Sequence, residues 1–180
     1  MCYNEKDNKL SRAQKEAGGL KILLVCTGNT CRSPMAGAIL QQMAERDALG
    51  PAVQISTAGI AAPIGSPASR AAADAMLRRG LALTHHEARQ IGFHELAQSD
   101  LVLTMTGSQQ EMLAHGMPEL DGKIFSLGAY IGEPGDVVDP YGGGAPEYEA
   151  CATVLAGWLA KAWDKIKAQY VLSTGGMSHE

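Results

Sequence analysis

The sequence predicts an α/β protein, a parallel sheet covered by helices on both faces and therefore three layers. Strand-like and helix-like segments alternate through residues 20–170. The clearest strand, "LKILLVC" (20–26), is a continuous apolar run, as a strand buried on both faces should be. The last helix-like segment carries one apolar stripe, Tyr148, Cys151, Leu155, Trp158, Leu159, Ala162 and Ile166, and so has one face to bury.

After the first strand, Met35, Ile39, Leu40 and Met43 fall on one helical face. "VQIST" (53–57) reads as the second strand. "GSPASRAAADAMLRRG" follows as a helix, with Ser66 as cap, Pro67 in the first turn and Gly80 just past the end. A short helix over Phe93–Ala97 leads into a third strand, "SDLVLTM" (99–105). "TGSQQEMLAHG" is a helix closed by Gly116, and "KIFSL" (123–127) is a fourth strand. Residues 128–146, rich in Gly and Pro, read as a long loop before the final helix. Residues 1–19 read as a polar, unstructured leader, 20–170 as one domain and 171–180 as a flexible tail.

The totals exclude several classes of function. A net charge of −4 leaves no basic footprint for nucleic acid and no polybasic membrane anchor. No stretch approaches the roughly 20 apolar residues of a membrane span, and the first residues lack the apolar core of a signal peptide. The expectation is a cytoplasmic monomer. Four cysteines in a reducing compartment point to catalytic, redox or packing roles rather than a disulfide framework.

The chemistry concentrates in "LLVCTGNTCRSPMAG" (23–37). Cys26 ends the strand and Arg32 follows in a Cys-x5-Arg spacing, with Ser33 expected to cap the next helix and Pro34 in its first turn. A loop of that length curls its N–H groups inward. Together with the positive helix end and a guanidinium, it makes a receptor for a tetrahedral dianion. The same surroundings favour a thiolate, placed for in-line attack on a bound phosphoryl group. Gly28 suits close backbone approach or a positive φ, Asn29 suits a bond to its own backbone, and the Ser33 hydroxyl suits donation to the sulfur. In "GDVVDPYGGG", Asp139 is the candidate acid for the leaving atom and base for the hydrolytic water, with Asp136 as its rival.

"VCTGNTCRSPMA" and "DVVDPYGG" together resemble the low-molecular-weight protein tyrosine phosphatases, and within them the bacterial protein arginine phosphatases. "STAGI", "GLALTHHEARQI" and "DLVLTMT" extend the resemblance over about residues 20 to 170. It implies a four-stranded parallel sheet in the order 2-1-3-4, no metal and no organic cofactor. It implies Cys26 as nucleophile, Arg32 as phosphate clamp, and Asn29 and Ser33 as loop-ordering and thiol-tuning residues. Asp139 becomes general acid and base, and Tyr141 part of the cleft wall. Thr27, Gly28, Asn29, Thr30 and Cys31 surround the phosphoryl group of a phosphorylated protein substrate. Thr30 stands where tyrosine phosphatases of the family usually carry a larger aliphatic residue, and Gly142-Gly143 where many have a second aromatic ring. Both favour phosphoarginine over phosphotyrosine. Gly37 replaces a glutamate frequent in the family.

Cys31 reads either as a redox partner of Cys26 or as packing under the loop. Cys151 falls on the core stripe, and His86 and Arg89 read as scaffold. His85 and His86 have no ligand cluster of metal spacing around them. A thioredoxin-coupled arsenate reductase shares the fold but needs further cysteines on a mobile segment, and residues 80–100 contain none. A non-catalytic anion-binding module is expected to lack the nucleophile or the acid.

Overall fold

A computed structural model describes residues 19–174. The expected leader lies almost wholly outside these residues, as does the end of the expected tail. Four parallel strands form one sheet: β1 (Leu20–Cys26), β2 (Val53–Gly59), β3 (Leu101–Thr104) and β4 (Ile124–Ser126). Their order is β2-β1-β3-β4, as the resemblance implies. The central strand pairs along its whole length with β2, from Leu20 opposite Val53 to Cys26 opposite Gly59.

Six α-helices accompany the sheet among the described residues, α1 (Arg32–Arg46), α2 (Arg70–Arg78), α3 (Phe93–Gln98), α4 (Gly107–Gly116), α5 (Leu127–Ile131) and α6 (Ala145–Thr174), besides two short 3-10 helices at Gly50–Ala52 and Pro118–Lys123. Period two in β1 sorts its side chains between two cores. Ile22, Leu24 and Cys26 pack with Met35, Leu40, Leu103, Leu127, Leu155 and Leu159. Leu23 and Val25 pack with Leu96, Val102, Leu113 and Ile124 on the other face. The expected stripe of α6 is buried apart from half-buried Trp158, and buried Trp163 joins it. None of the helices among the described residues is long and apolar enough to cross a membrane.

Several local expectations are corrected. The second helix begins at Arg70 rather than beside Pro67, because the Ser69 side chain, not Ser66, accepts the Ala72 amide as its cap. The region 128–146 is not all loop, since Ser126 caps the short α5 by accepting the Ala129 amide, and Gly132 ends it in the left-handed region. The third and fourth strands are shorter than expected, as their outer residues turn into flanking helices and loops. The last helix runs from Ala145 to Thr174.

Candidate active site

The loop between β1 and α1 lies at the carboxyl end of the central strand, where open α/β sheets hold ligands. Residues 26–33 run from the last residue of β1 through this loop into the first turn of the helix. Cys26 is buried, and its Sγ lies 3.0 Å from Ser33 Oγ and accepts the Asn29 amide at 3.2 Å. Ser33 Oγ in turn accepts from Asn29 Nδ2 at 2.9 Å, which leaves its own hydrogen for the sulfur. Ser33 is therefore a thiol partner. It is not the helix cap the sequence suggested, because α1 starts from Cys31 with no side-chain cap bond.

Asn29 organises the loop by a route the sequence reading missed. It is the residue that takes φ of 55°, not Gly28, and it makes no bond to its own backbone. Its Nδ2 also donates to Thr57 Oγ1 at 2.9 Å, and its Oδ1 accepts the Arg89 amide at 2.8 Å. Its carbonyl oxygen lies 2.6 Å from His86 Nε2, and a carbonyl only accepts, so Nε2 carries the hydrogen. His86 and Arg89, read as scaffold in the sequence, both fasten to Asn29 in the loop after β1.

Arg32 is almost fully covered, at 5% exposed, and reaches across the mouth to Asp139, which is 46% exposed. Its Nη2 pairs with Asp139 Oδ2 and meets Thr27 Oγ1 at 3.5 Å, while Nη1 donates to the Val137 carbonyl. Asp139 Oδ1 accepts the Tyr141 amide, closing a tight Asp-Pro-Tyr turn. Asp136 instead accepts the Gly107 amide at the start of α4. Of the two rival acids, Asp139 is the one that contacts Arg32. Tyr141 stands out from the surface at 82% exposed, and Gly142 beside it takes φ of 82°, which disfavours a ring-bearing residue there.

Thr30 is half-buried at the loop's edge, and its carbonyl accepts the Ser69 amide. Cys31 stands at the start of α1 but gives it no side-chain cap bond. Its Sγ donates to Ser69 Oγ at 3.2 Å and lies 3.3 Å from the Tyr148 hydroxyl, so the thiol is packed under the loop. Burial, together with the Cys31 contact, pushes the Tyr148 phenol above its ordinary range. Cys151 is buried as well, and burial pushes its thiol up to about 12, opposed in part by the Arg32 charge. Cys26, Cys31 and Cys151 are all free thiols.

Two supports, Gly59 and Gln109, were not singled out in the sequence, and Gly37 was noted there only for the glutamate it replaces. Gly59 underlies the loop so closely that a Cβ would lie 2.7 Å from the Thr27 carbonyl oxygen and 2.9 Å from the Asn29 nitrogen. Gly37 has a packing reason, since a Cβ would lie 2.7 Å from Thr57 Cγ2, the residue that braces Asn29. Gln109 is buried and donates from Nε2 to Thr27 Oγ1 at 3.1 Å. The Thr106-x-x-Gln109 spacing of a capping box was its sequence signal.

This constellation can seat an oxyanion over a sulfur nucleophile and pass a proton at its rim. Comparison with known proteins shows the family of the chain. The chain matches the family described as "Low molecular weight phosphotyrosine protein phosphatase" over residues 21–171. A protein-arginine-phosphatase of Bacillus subtilis is 39% identical over 150 residues, covering 82% of this chain and 97% of that protein. The low molecular weight protein-tyrosine-phosphatase Wzb of Salmonella typhimurium is 36% identical over 135 residues, covering 75% and 86%. The solved structure of a YwlE arginine phosphatase variant with a phosphorylated active-site serine superposes with a TM-score of 0.78 at 34% identity, covering 82% of this chain and 96% of that one. With the family model matched over residues 21–171, nearly all of the described chain, the chain belongs to the low molecular weight phosphotyrosine protein phosphatase family.

Proposed function

We propose that this phosphatase hydrolyses phosphoarginine in proteins, as a cytoplasmic monomer, through a phosphocysteine at Cys26. The observation that carries the mechanism is the Cys26 sulfur at the base of the loop, with the Ser33 hydroxyl at 3.0 Å and the Asn29 amide at 3.2 Å. In the first half-reaction, the inward N–H groups and the Arg32 guanidinium hold the phosphoryl oxygens. The sulfur attacks phosphorus as the P–N bond breaks, and Asp139 gives its proton to the departing guanidine nitrogen. In the second, water attacks phosphorus and Asp139 takes its proton. The S–P bond breaks, and the sulfur leaves as a thiolate eased by the Ser33 hydrogen.

Substrate choice rests on Thr30 and on Gly142. A hydroxyl at the loop's edge suits a charged guanidinium better than an aliphatic wall. The positive φ at Gly142 accounts for the lack of a second stacking ring. The relationship to proteins named arginine phosphatases, at up to 39% identity, supports the same choice. Phosphotyrosine is the second reading, favoured by the exposed Tyr141 ring. Side-by-side turnover of phosphoarginine and phosphotyrosine peptides tests this. The expected result is a higher kcat/KM for phosphoarginine, with Thr30→Ile shifting the ratio toward phosphotyrosine by about tenfold. An unchanged ratio would remove Thr30 as the selector. Cys26→Ser should lose turnover on both while still binding phosphate.

A further inference from the structure

Gln109 and Thr27 lie side by side at the mouth, and their hydrogen bonds fix an atom that structures seldom reveal. Gln109 Oε1 accepts two backbone amides, Met105 N at 3.0 Å and Thr106 N at 3.2 Å. That settles which way the side-chain amide faces, so the group toward Thr27 Oγ1 is the NH2 donor at 3.1 Å. Thr27 Oγ1 also meets the Arg32 guanidinium, which only donates. A hydroxyl has two lone pairs and one hydrogen. Here both lone pairs face donors, so the hydrogen is left for the open side. Thr27 is exposed there, and Arg32 Nη2 joins its hydroxyl to Asp139 Oδ2.

We propose that Thr27 is a further catalytic residue whose hydroxyl donates a hydrogen bond to the atom at the apical position beside Asp139, and that Gln109 is the positioning residue that aims it. The apical atom is the leaving oxygen or nitrogen in the first half-reaction and the water oxygen in the second. Thr27 gives no proton. The S–P bond forms as the bond to the leaving atom breaks, the proton comes from Asp139, and Thr27 contributes a hydrogen bond that strengthens as negative charge gathers on the leaving atom. The proposal rests on the phosphocysteine reading, but not on the choice between arginine and tyrosine.

Aryl phosphates with leaving phenols of rising basicity test it. Hydrolysis of p-nitrophenyl phosphate by the unaltered protein, with a Cys26-dependent burst, checks the underlying reading first. Its absence would sink that reading whatever the variants do. Thr27→Val keeps the shape and removes the donor. It should lower kcat/KM about fivefold for phenyl phosphate and less than about twofold for p-nitrophenyl phosphate, steepening the dependence on leaving-group basicity. Gln109→Glu keeps the bonds to Met105 and Thr106 but offers Thr27 an acceptor, turning the hydroxyl hydrogen inward. It should steepen the same dependence. In the Thr27→Val background it should leave the slope unaltered, and any charge effect then appears as a uniform loss matched by weaker inhibition by inorganic phosphate. A Thr27→Val loss equal across all leaving groups overturns the proposal. So does a Gln109→Glu slope change that persists without the Thr27 hydroxyl, which would make Gln109 act by another route.

Discussion

Asn29 shows how much of the site depends on one side chain. Its amide reaches the sulfur, its carboxamide joins Ser33, Thr57 and the Arg89 backbone, and its backbone holds φ of 55°. Asn29→Ala loses three side-chain bonds in a buried setting and leaves an alanine in the left-handed region. The expected cost is about 3 kcal/mol of stability, read from the urea midpoint. Asn29→Asp tolerates the same backbone, but its carboxylate accepts where the amide donated. It draws the Ser33 hydrogen away from Cys26, so kcat should fall more than about tenfold. The sequence displayed Cys26, Arg32 and Asp139 because their chemistry is tied to residue type and spacing. It did not display Asn29's partners, because Thr57 and Arg89 come from segments distant in sequence, and only the fold brings them together. The thiols separate in the same way. Cys151 is held up to about 12 by burial, so mild alkylation of the folded protein near pH 8, mapped by mass spectrometry, should label Cys26 and spare Cys151.

At the scale of elements, the junction of β1 and β2 sets the loop's shape. The two strands pair up to Cys26 opposite Gly59, and the Cys26 and Thr27 carbonyls accept the Ile60 and Ala61 amides beyond it. Gly59 is where the loop's backbone rests on the neighbouring strand. Gly59→Ala would drive a methyl into the Thr27 carbonyl and the Asn29 nitrogen, both backbone atoms with no rotamer to yield. The expected result is a fall of about tenfold or more in kcat/KM on p-nitrophenyl phosphate, with about 1–3 kcal/mol lost in stability. A variant with normal activity would mean that the loop moves freely over the strand. The strands themselves were legible because apolar runs such as 20–26 have no other use. The helix starts were less so. Ser66-Pro67 and Ser69-Arg70 both offer a cap, and the Ser69 amide wins because it also bonds the Thr30 carbonyl of the phosphate-binding loop. That contact is tertiary, and it overrides the local signal. Helix α5 was hidden because Gly and Pro on its C-terminal side marked the whole stretch as loop.

Across the whole molecule, α1 is fixed at both ends, by the phosphate-binding loop at its start and by α6 at its finish. Asp47, just past the end of α1, accepts Trp163 Nε1 at 2.8 Å and Lys167 Nζ at 2.7 Å. A carboxylate at a helix C-terminus is unfavourable by itself, and these two donors from α6 offset that. Bonds from Lys167 first, then Trp163, hold the Asp47 carboxyl below its ordinary value of 3.8. Bonds to Asp47 and Asp164 raise the Lys167 ammonium above its ordinary 10.5. A carboxyl lowered by folding stabilises fully above its ordinary range and loses that contribution as pH falls through the folded value. A raised ammonium stabilises fully below its ordinary range and loses its contribution as pH climbs through its own folded value. The clasp is therefore intact through neutral pH. Asp47→Asn should lower Tm at pH 7, and the gap to the unaltered protein should narrow as pH falls below the ordinary carboxylate range and the Asp47 carboxylate takes up its proton. Added salt should narrow the gap at pH 7, since both side chains of the pair are partly exposed to solvent. Because the clasp sits at the far end of α1 from Cys26, kcat/KM should stay within about twofold of the unaltered value. A Tm gap that does not change between pH 7 and pH 3 would assign the contact to the neutral hydrogen bond from Trp163 alone, with no contribution from the charge on Asp47.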